Sequence, residues 1–121
     1  MILIGKYIDI KSYRKLGYYP LSISNVRPKW YVEGSNEPLF AVPTEVMIDY
    51  DTKRISKSEY EKRYTEYLDT VADEVFLNYI QSNRVYVIIC QYDKDTLQKQ
   101  IFTNYLNKRF AQIFKELNDL I

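Results

Sequence analysis

The sequence predicts a single α/β domain with a small, mainly parallel sheet flanked by helices. Its 121 residues suit one domain, and 46% hydrophobic and 27% charged residues are typical of a globular protein. Short segments rich in β-branched residues alternate with segments of helical periodicity, which is the order of an α/β fold. Three glycines, four prolines and no internal repeat leave no linker, so residues 1–121 are predicted to form one unit.

The first quarter of the chain contains two predicted strands. Residues 1–8 are apolar and β-branched and predict the first strand. Residues 9–16 predict a short helix, with Asp9 as its N-cap and Gly17 as its stop. Residues 19–26 predict the second strand, which Pro28 ends. These elements are typical of a βαβ unit, although the crossover is shorter than usual.

The middle of the chain is predicted to be a long loop followed by helices. Prolines and a glycine punctuate residues 27–43, and long loops often carry function. Residues 43–51 predict a short helix with Pro43 in its first turn. Ser56 and Glu59 form a capping box for the next helix, and Asp73 is placed to restart it after a break. The apolar stripe of this helical region comprises Tyr60, Tyr64, Tyr67, Leu68, Val71, Val75, Phe76, Tyr79 and Ile80.

The last third predicts one buried strand and one helix. Residues 84–91 have an apolar centre with polar flanks, which is typical of a parallel strand covered on both faces. The final helix is predicted to begin near Asp95 or Thr96. Its predicted apolar face comprises Leu97, Ile101, Leu106, Phe110, Ile113, Phe114 and Leu117.

The composition excludes several classes of site. Without histidine the chain has no Ser-His-Asp or Cys-His catalytic pair and no imidazole-ligated metal. One cysteine allows neither an internal disulfide nor a thiolate cluster. The longest apolar run, residues 85–90, is too short to cross a bilayer, and no secretion signal is recognisable. We therefore expect a cytoplasmic protein with no membrane partner, no metal and no cofactor; the oligomeric state is left open.

The charges are distributed unevenly, although the net charge is only +1. Residues 6–31 carry six basic groups and one acidic group, a local charge of +5, interleaved with tyrosines and a tryptophan. Cations next to aromatic rings suit phosphate contacts and base stacking. The alternative is a solvated basic face whose aromatic rings point into the core.

A ligand site is expected beyond the carboxyl ends of the strands, as is usual in open α/β sheets. The predicted ligand-binding residues are Ser22, Ser24, Arg27, Lys29, Trp30, Tyr31, Tyr92 and Lys99. The serines and the three cations would hold a phosphate or carboxylate, and Trp30 or Tyr31 would provide a stacking surface. The N-terminus of the final helix would add backbone N–H donors, for which Asp95 would compete as a cap.

Cys90 is the candidate nucleophile, because it lies at a strand end before a helix. An apolar strand is equally the place of an inert structural cysteine, and no histidine is present to activate the thiol. The carboxylate pairs Asp49–Asp51 and Asp93–Asp95 have a spacing common in loops and helix caps, so they are weak acid–base or metal candidates. The tyrosine stripe is interpreted as core packing, with an interaction surface as the alternative.

Several short motifs resemble the YeaO-like domain-of-unknown-function family, in its phage and Firmicutes branch. They are SYRKL at 12–16, PLSIS at 20–24, RPKWY at 27–31, the Leu39-to-Thr44 segment, the helix at 50–64 and VIIC at 87–90. The resemblance implies an α/β fold, retention of the strand-end cysteine as Cys90, and a phage or prophage origin. The family's Cys-His-Arg cluster corresponds to about Gln98, Lys99 and Gln100, so all three residues are replaced.

Three classes of function follow from these features. The first is a binding domain for a nucleotide, a nucleic acid or another phosphorylated ligand. The second is a non-catalytic protein that binds or inhibits a host protein, which the replaced cluster and the many tyrosines favour. The third is an enzyme that uses Cys90.

Overall fold

A computed structural model describes residues 2–25, 31, 35–90 and 96–112. The strands β1 (Ile2–Gly5), β2 (Tyr19–Ser22), β3 (Ser35–Asn36) and β4 (Tyr86–Ile89) form one sheet. The helices are α1 (Ile10–Lys15), α2 (Thr44–Asp51), α3 (Lys57–Asp69), α4 (Asp73–Ile80) and α5 (Thr96–Arg109). The sheet order is β1-β4-β2-β3, and every described pairing is parallel, which confirms the predicted α/β class.

Strand β4 lies in the centre of the sheet. It pairs with β1 from Ile2↔Tyr86 to Gly5↔Ile89 and with β2 from Tyr19↔Tyr86 to Ser22↔Ile89. A strand with neighbours on both sides and helices on both faces has little contact with water, which accounts for its apolar sequence. The prediction of a buried strand within residues 84–91 is confirmed.

Helix α1 covers one face of the sheet. The strand alternation places Gly5 of β1 and Val87 of β4 on this face. A Cβ atom on Gly5 would come within 2.5 Å of both the Tyr13 hydroxyl oxygen and Val87 Cγ1, so only glycine allows α1 to lie this close. A small apolar cluster of Tyr7, Ile10, Tyr31 and Ile89 forms beside it.

The opposite face carries the main core. Leu21 and Ile88 point to this face and pack under α3, α4 and α5. Phe40 stacks on Phe76 with 4.7 Å between ring centroids and meets Phe102 at 5.3 Å. The fully buried side chains contributed by the helices include Tyr64, Leu68, Phe76 and Phe102. The tyrosine stripe on α3 therefore contributes to the core, as its spacing predicts.

The helix boundaries follow from local signals. Gly17 has φ +78°, the left-handed conformation expected of a helix stop. Ser56 Oγ accepts a hydrogen bond from the Glu59 backbone N–H at 3.1 Å, as in a capping box. The break before Asp73 is also present, and Arg109 binds there, donating to the carbonyls of Leu68 at 3.0 Å and Val71 at 2.8 Å. Arg109 thus ties the end of α3 to the segment before α4, where the Leu68 carbonyl also accepts from the Val71 N–H at 3.0 Å.

Several predicted boundaries are wrong. The first strand ends at Gly5 rather than residue 8, because a 3-10 helix over Tyr7–Asp9 turns Tyr7 into the small cluster. The second strand ends at Ser22, and Asp9 occupies the N-cap position of α1 without a side-chain cap. The segment predicted as loop contains β3 and a 3-10 helix over Pro38–Phe40. The predicted apolar positions Ile113, Phe114 and Leu117 lie outside the described residues.

Within the described residues no helix is long and apolar enough to span a bilayer.

Candidate functional site

A cleft of about 310 Å³ lies at the carboxyl ends of β2 and β3. One wall is formed by the residues that follow or end these strands, and the other by the segment that leads into α2. The lining residues are Ser24, Asn25, Asn36, Pro38, Ala41, Val42, Pro43, Thr44 and Tyr67. This is the edge of the sheet at which the strand-end rule places a ligand.

The start of α2 supplies hydrogen-bond donors to one side of the cleft. Pro43 occupies the N-cap position, where its side chain offers no acceptor. The first bond within the helix runs from the Met47 N–H to the Pro43 carbonyl at 3.0 Å. The N–H groups of the first turn therefore make no hydrogen bond within the helix, and the positive end of the helix dipole lies beside them.

Polar side chains hold the cleft walls together. The Asn25 amide donates to the Val42 carbonyl and ties the end of β2 to the segment before α2. The amide has a second N–H and an acceptor oxygen, so this bond uses only one of the hydrogen-bonding groups of Asn25. The Tyr67 hydroxyl donates to the Leu39 carbonyl at 2.9 Å, and partial burial, with Glu37 nearby, raises the pKa of Tyr67.

Both predicted serines lie at this edge but contact an internal tyrosine. The Ser22 Oγ is 2.5 Å from the Tyr7 hydroxyl, which also donates to Ser24 Oγ at 3.1 Å. Ser22 is fully buried, whereas Ser24 is 5% exposed and lines the cleft. Of the two serines, Ser24 is therefore the one in a position to meet a ligand in this cleft.

The remaining predicted site residues are only partly brought together. Tyr31 packs edge-on against Tyr7 with 5.3 Å between centroids, and its hydroxyl donates to the Ser35 carbonyl at 2.7 Å. Tyr31 is thus a core side chain rather than a stacking surface, as in the alternative in which the aromatic rings of this basic segment point into the core. Lys99 is half-buried on α5, and the cleft lining does not include it. Four predicted residues lie outside the described residues: Arg27, Lys29, Trp30 and Tyr92.

Of the nine residues that line the cleft, only Ser24 belongs to the predicted ligand-binding set, and Asn36, Thr44 and Tyr67 are among those it lacks. The proline before Thr44 predicts the start of a helix, but nothing local indicates that this start faces the end of β2. By its residue type Asn36 predicts a turn, and it becomes a strand end only because it pairs with Ser22 of β2. Their placement depends on tertiary contacts rather than on local sequence.

Cys90 lies in the main core, with 5% of its surface exposed. Its neighbour Tyr64 donates a hydrogen bond to the Phe40 carbonyl at 2.5 Å, and burial raises the pKa of Tyr64 well above its usual value. Gln98, which the resemblance aligns with the first residue of the Cys-His-Arg cluster, donates to the Ile23 carbonyl at 2.9 Å and to the Tyr64 hydroxyl at 3.3 Å. This enclosed setting is typical of a structural cysteine.

The carboxylate candidates do not form a metal site in the described part of the chain. Asp49 is paired with Arg63 at 3.1 Å, and the pair Asp93–Asp95 lies outside the described residues. No group of three or more potential metal-ligating side chains occurs among the residues that the structure describes.

A larger groove of about 670 Å³ separates α3 from α5. Its polar groups are arranged around Tyr105, whose hydroxyl donates to Asp69 at 2.6 Å and accepts from Arg109 at 2.9 Å. Burial, with the hydrogen bond to Asp69, raises the pKa of Tyr105 to about 12. Arg109 also binds Asp73 of α4 and the carbonyls of Leu68 and Val71, so this network joins three helices.

No protein family, curated protein or solved structure matches the chain. The resemblance to the YeaO-like family, with the origin and the site it implies, therefore stays a prediction.

Proposed function

We propose that the protein binds a small phosphorylated ligand, such as a nucleotide, in the cleft at the carboxyl ends of β2 and β3. The observation that supports this proposal is the meeting of polar strand ends with the first turn of α2 in one cavity. Ser24, Asn25 and Asn36 provide hydroxyl and amide groups, and the first turn of α2 provides N–H donors for an anion.

The size of the cleft favours a small ligand over a nucleic-acid strand. A volume of about 310 Å³ falls at the lower end of the range for ligand pockets, roughly 300–1,000 Å³. Pro38, Ala41, Val42 and Pro43 form an apolar wall that suits the uncharged part of such a molecule. A nucleic-acid groove would instead track the backbone over several nucleotides with cationic side chains.

Positive charge is expected from Arg27 and Lys29, which follow Asn25 in the chain. Their contribution is a prediction from sequence, because the structure does not describe them. Arg27→Ala and Lys29→Ala are expected to weaken binding and to reduce its dependence on salt.

The test measures binding of inorganic phosphate, AMP, ATP and a labelled 20-nucleotide DNA at low and high salt by calorimetry and fluorescence anisotropy. The decisive variant is Thr44→Glu, which places a negative charge in the exposed first turn of α2. An acidic residue there is favourable for the helix, so folding is retained while an anion is repelled. Ser58→Glu adds the same residue to the first turn of α3, outside the cleft, and is the matched control.

We expect a small phosphorylated probe to bind wild type and Ser58→Glu equally and to bind Thr44→Glu at least tenfold more weakly. The oligonucleotide is expected to bind no more tightly than the mononucleotide. Absence of binding by every probe, or equal binding by Thr44→Glu, contradicts the proposal. Tighter binding of the oligonucleotide would move the function to nucleic-acid recognition.

The alternative class, a protein that binds another protein, is favoured by a different observation. The two most exposed large apolar side chains of the described residues, Ile8 and Leu16, lie on one short helical segment on the opposite side of the sheet from the main core.

A further inference from the structure

The helical segment from Tyr7 to Leu16 exposes an unusual surface. A 3-10 helix over Tyr7–Asp9 continues into α1, and Leu16 is its C-cap. Ile8 is 84% exposed and Leu16 is 65% exposed, whereas Tyr7 and Ile10 are buried. Isolated exposed apolar residues are ordinary on a protein, but two this exposed on one short helical segment require a reason.

Helical geometry puts the two aliphatic residues on one stripe. Ile8, Ser12 and Leu16 follow the i, i+4, i+8 spacing and point away from the sheet, on the side opposite Tyr7 and Ile10. Along the helix axis the two residues are separated by about 13 Å, at ~2 Å per residue in the 3-10 turn and ~1.5 Å in α1. Ser12 between them is small and exposed, so a partner can approach the helix closely.

Cations border this stripe. Lys11 and Lys15 are exposed one turn apart, and Lys6 and Arg14 are exposed nearby. Asp9 is the only acidic residue between residues 6 and 16, so four basic groups minus one leave +3. Four of the six basic groups of residues 6–31 therefore lie on this helical segment or directly before it, across the sheet from the main core.

We propose that the exposed face of the helical segment from Tyr7 to Leu16, defined by Ile8, Lys11, Ser12, Lys15 and Leu16, docks into a groove on an acidic protein partner. The spacing of the two aliphatic anchors matches the helix-in-groove mode, in which an apolar stripe fills pockets one or two turns apart. Carboxylates on the rim of the groove would pair with Lys11 and Lys15, and this complementarity steers the encounter.

Other anionic occupants fit the face less well. A nucleic-acid backbone would use the cations but would leave Ile8 and Leu16 without partners. A bilayer surface favours a long helix with a continuous apolar face, whereas this segment is short, buries Tyr7 and Ile10, and exposes only two aliphatic side chains. A protein groove accounts for both the aliphatic residues and the lysines.

The test selects binders to the whole protein from a library of small helical bundles randomised over a two-helix groove. The epitope of each selected binder is mapped with two double variants, Ile8→Ser/Leu16→Ser and Lys11→Glu/Lys15→Glu. The control variants are Ile48→Ser, at an aliphatic residue of α2 that is 47% exposed, and Lys57→Glu on α3. Thermal melts verify that every variant is folded, which is expected because the altered side chains are exposed or half-exposed.

The expected result is that most selected grooves combine apolar floors with Asp and Glu rims, and that both double variants weaken binding at least tenfold. The controls are expected to change binding less than twofold. Binders that map elsewhere, or grooves without acidic enrichment, overturn the proposal. The same variants are tested with a 20-base-pair DNA duplex and with vesicles of 70% phosphatidylcholine and 30% phosphatidylglycerol. If the DNA or the vesicles bind more tightly than the selected proteins, and Lys11→Glu/Lys15→Glu abolishes that binding, the face belongs to that occupant instead.

Discussion

Replacing Gln98 with leucine tests whether the amide joins the helical core to the end of β2. Gln98 is 1% exposed, and its Nε2 donates to the Ile23 carbonyl and to the Tyr64 hydroxyl. Leucine has a similar volume, so Gln98→Leu removes the hydrogen bonds without opening a large cavity. Tyr64 keeps its bond to the Phe40 carbonyl, and the Ile23 carbonyl loses the amide.

The expected cost follows from these contacts. A buried acceptor left without its donor costs about 1–3 kcal/mol, so we expect Gln98→Leu to destabilise the fold by about 2 kcal/mol. Gln98→Ala adds a cavity and is expected to lose about 3–4 kcal/mol in total. For a domain of this size, with a urea m-value of roughly 1–3 kcal/mol/M, a loss of 2 kcal/mol lowers the unfolding midpoint by about 1 M.

Urea unfolding followed by circular dichroism and by tyrosine fluorescence measures this loss. Gln100→Leu, at an exposed position of the same helix, is the control and is expected to stay within about 0.5 kcal/mol of wild type. A double-mutant cycle with Tyr64→Phe is expected to show coupling between the two residues. If Gln98→Leu is as stable as Gln100→Leu, the amide does not hold α5 to the sheet and our reasoning is wrong.

Three further changes test the local structure and its pH dependence. Ser56→Ala is expected to cost about 1 kcal/mol through loss of the bond to the Glu59 N–H, with Ser58→Ala as an exposed control, both measured by urea unfolding. Gly17→Ala is expected to cost about 1–2 kcal/mol because its φ is +78°, although the added Cβ meets no neighbour; an unchanged melting temperature would argue against this. The pKa of Tyr105 is raised to about 12 from an ordinary 10.0. The protonated hydroxyl therefore contributes fully to the free energy of unfolding below pH 10, and this contribution is lost as the pH rises to 12. Stability measured at pH 9 and pH 11 is therefore expected to fall less in Tyr105→Phe than in wild type, and equal losses would contradict this assignment.

The elements of the fold follow largely from local sequence. The apolar centre of residues 84–91, the restart at Asp73 and the cap at Ser56 are each encoded within a few residues, and the structure has all three. Strand ends are less predictable because they depend on which neighbour supplies the pairing. Tyr7 illustrates this, because tyrosine is a residue type favoured in strands, but here it lies in a 3-10 helix and packs against Ile10 and Tyr31.

The candidate site is predictable in its location but not in its composition. The strand-end rule selects the edge of the sheet at which the cleft lies, and Ser24 lines this cleft. It does not predict Tyr67, which reaches the cleft from α3 because that helix packs across the sheet. Nor does it predict that the Ser22 hydroxyl is hydrogen-bonded to Tyr7, since fifteen residues separate the two in the chain.

The central position of β4 has a consequence for the order of folding during synthesis. Within the part of the chain that the structure describes, β1 pairs with β4 alone, and the main pairing of β2 is also with β4. Of the four strands described there, β4 is the last to leave the ribosome. The nascent chain therefore holds two apolar strands without their common neighbour until about residue 90 has emerged. Such distant parallel pairings make folding slow, and we expect the sheet to assemble late and in one cooperative step.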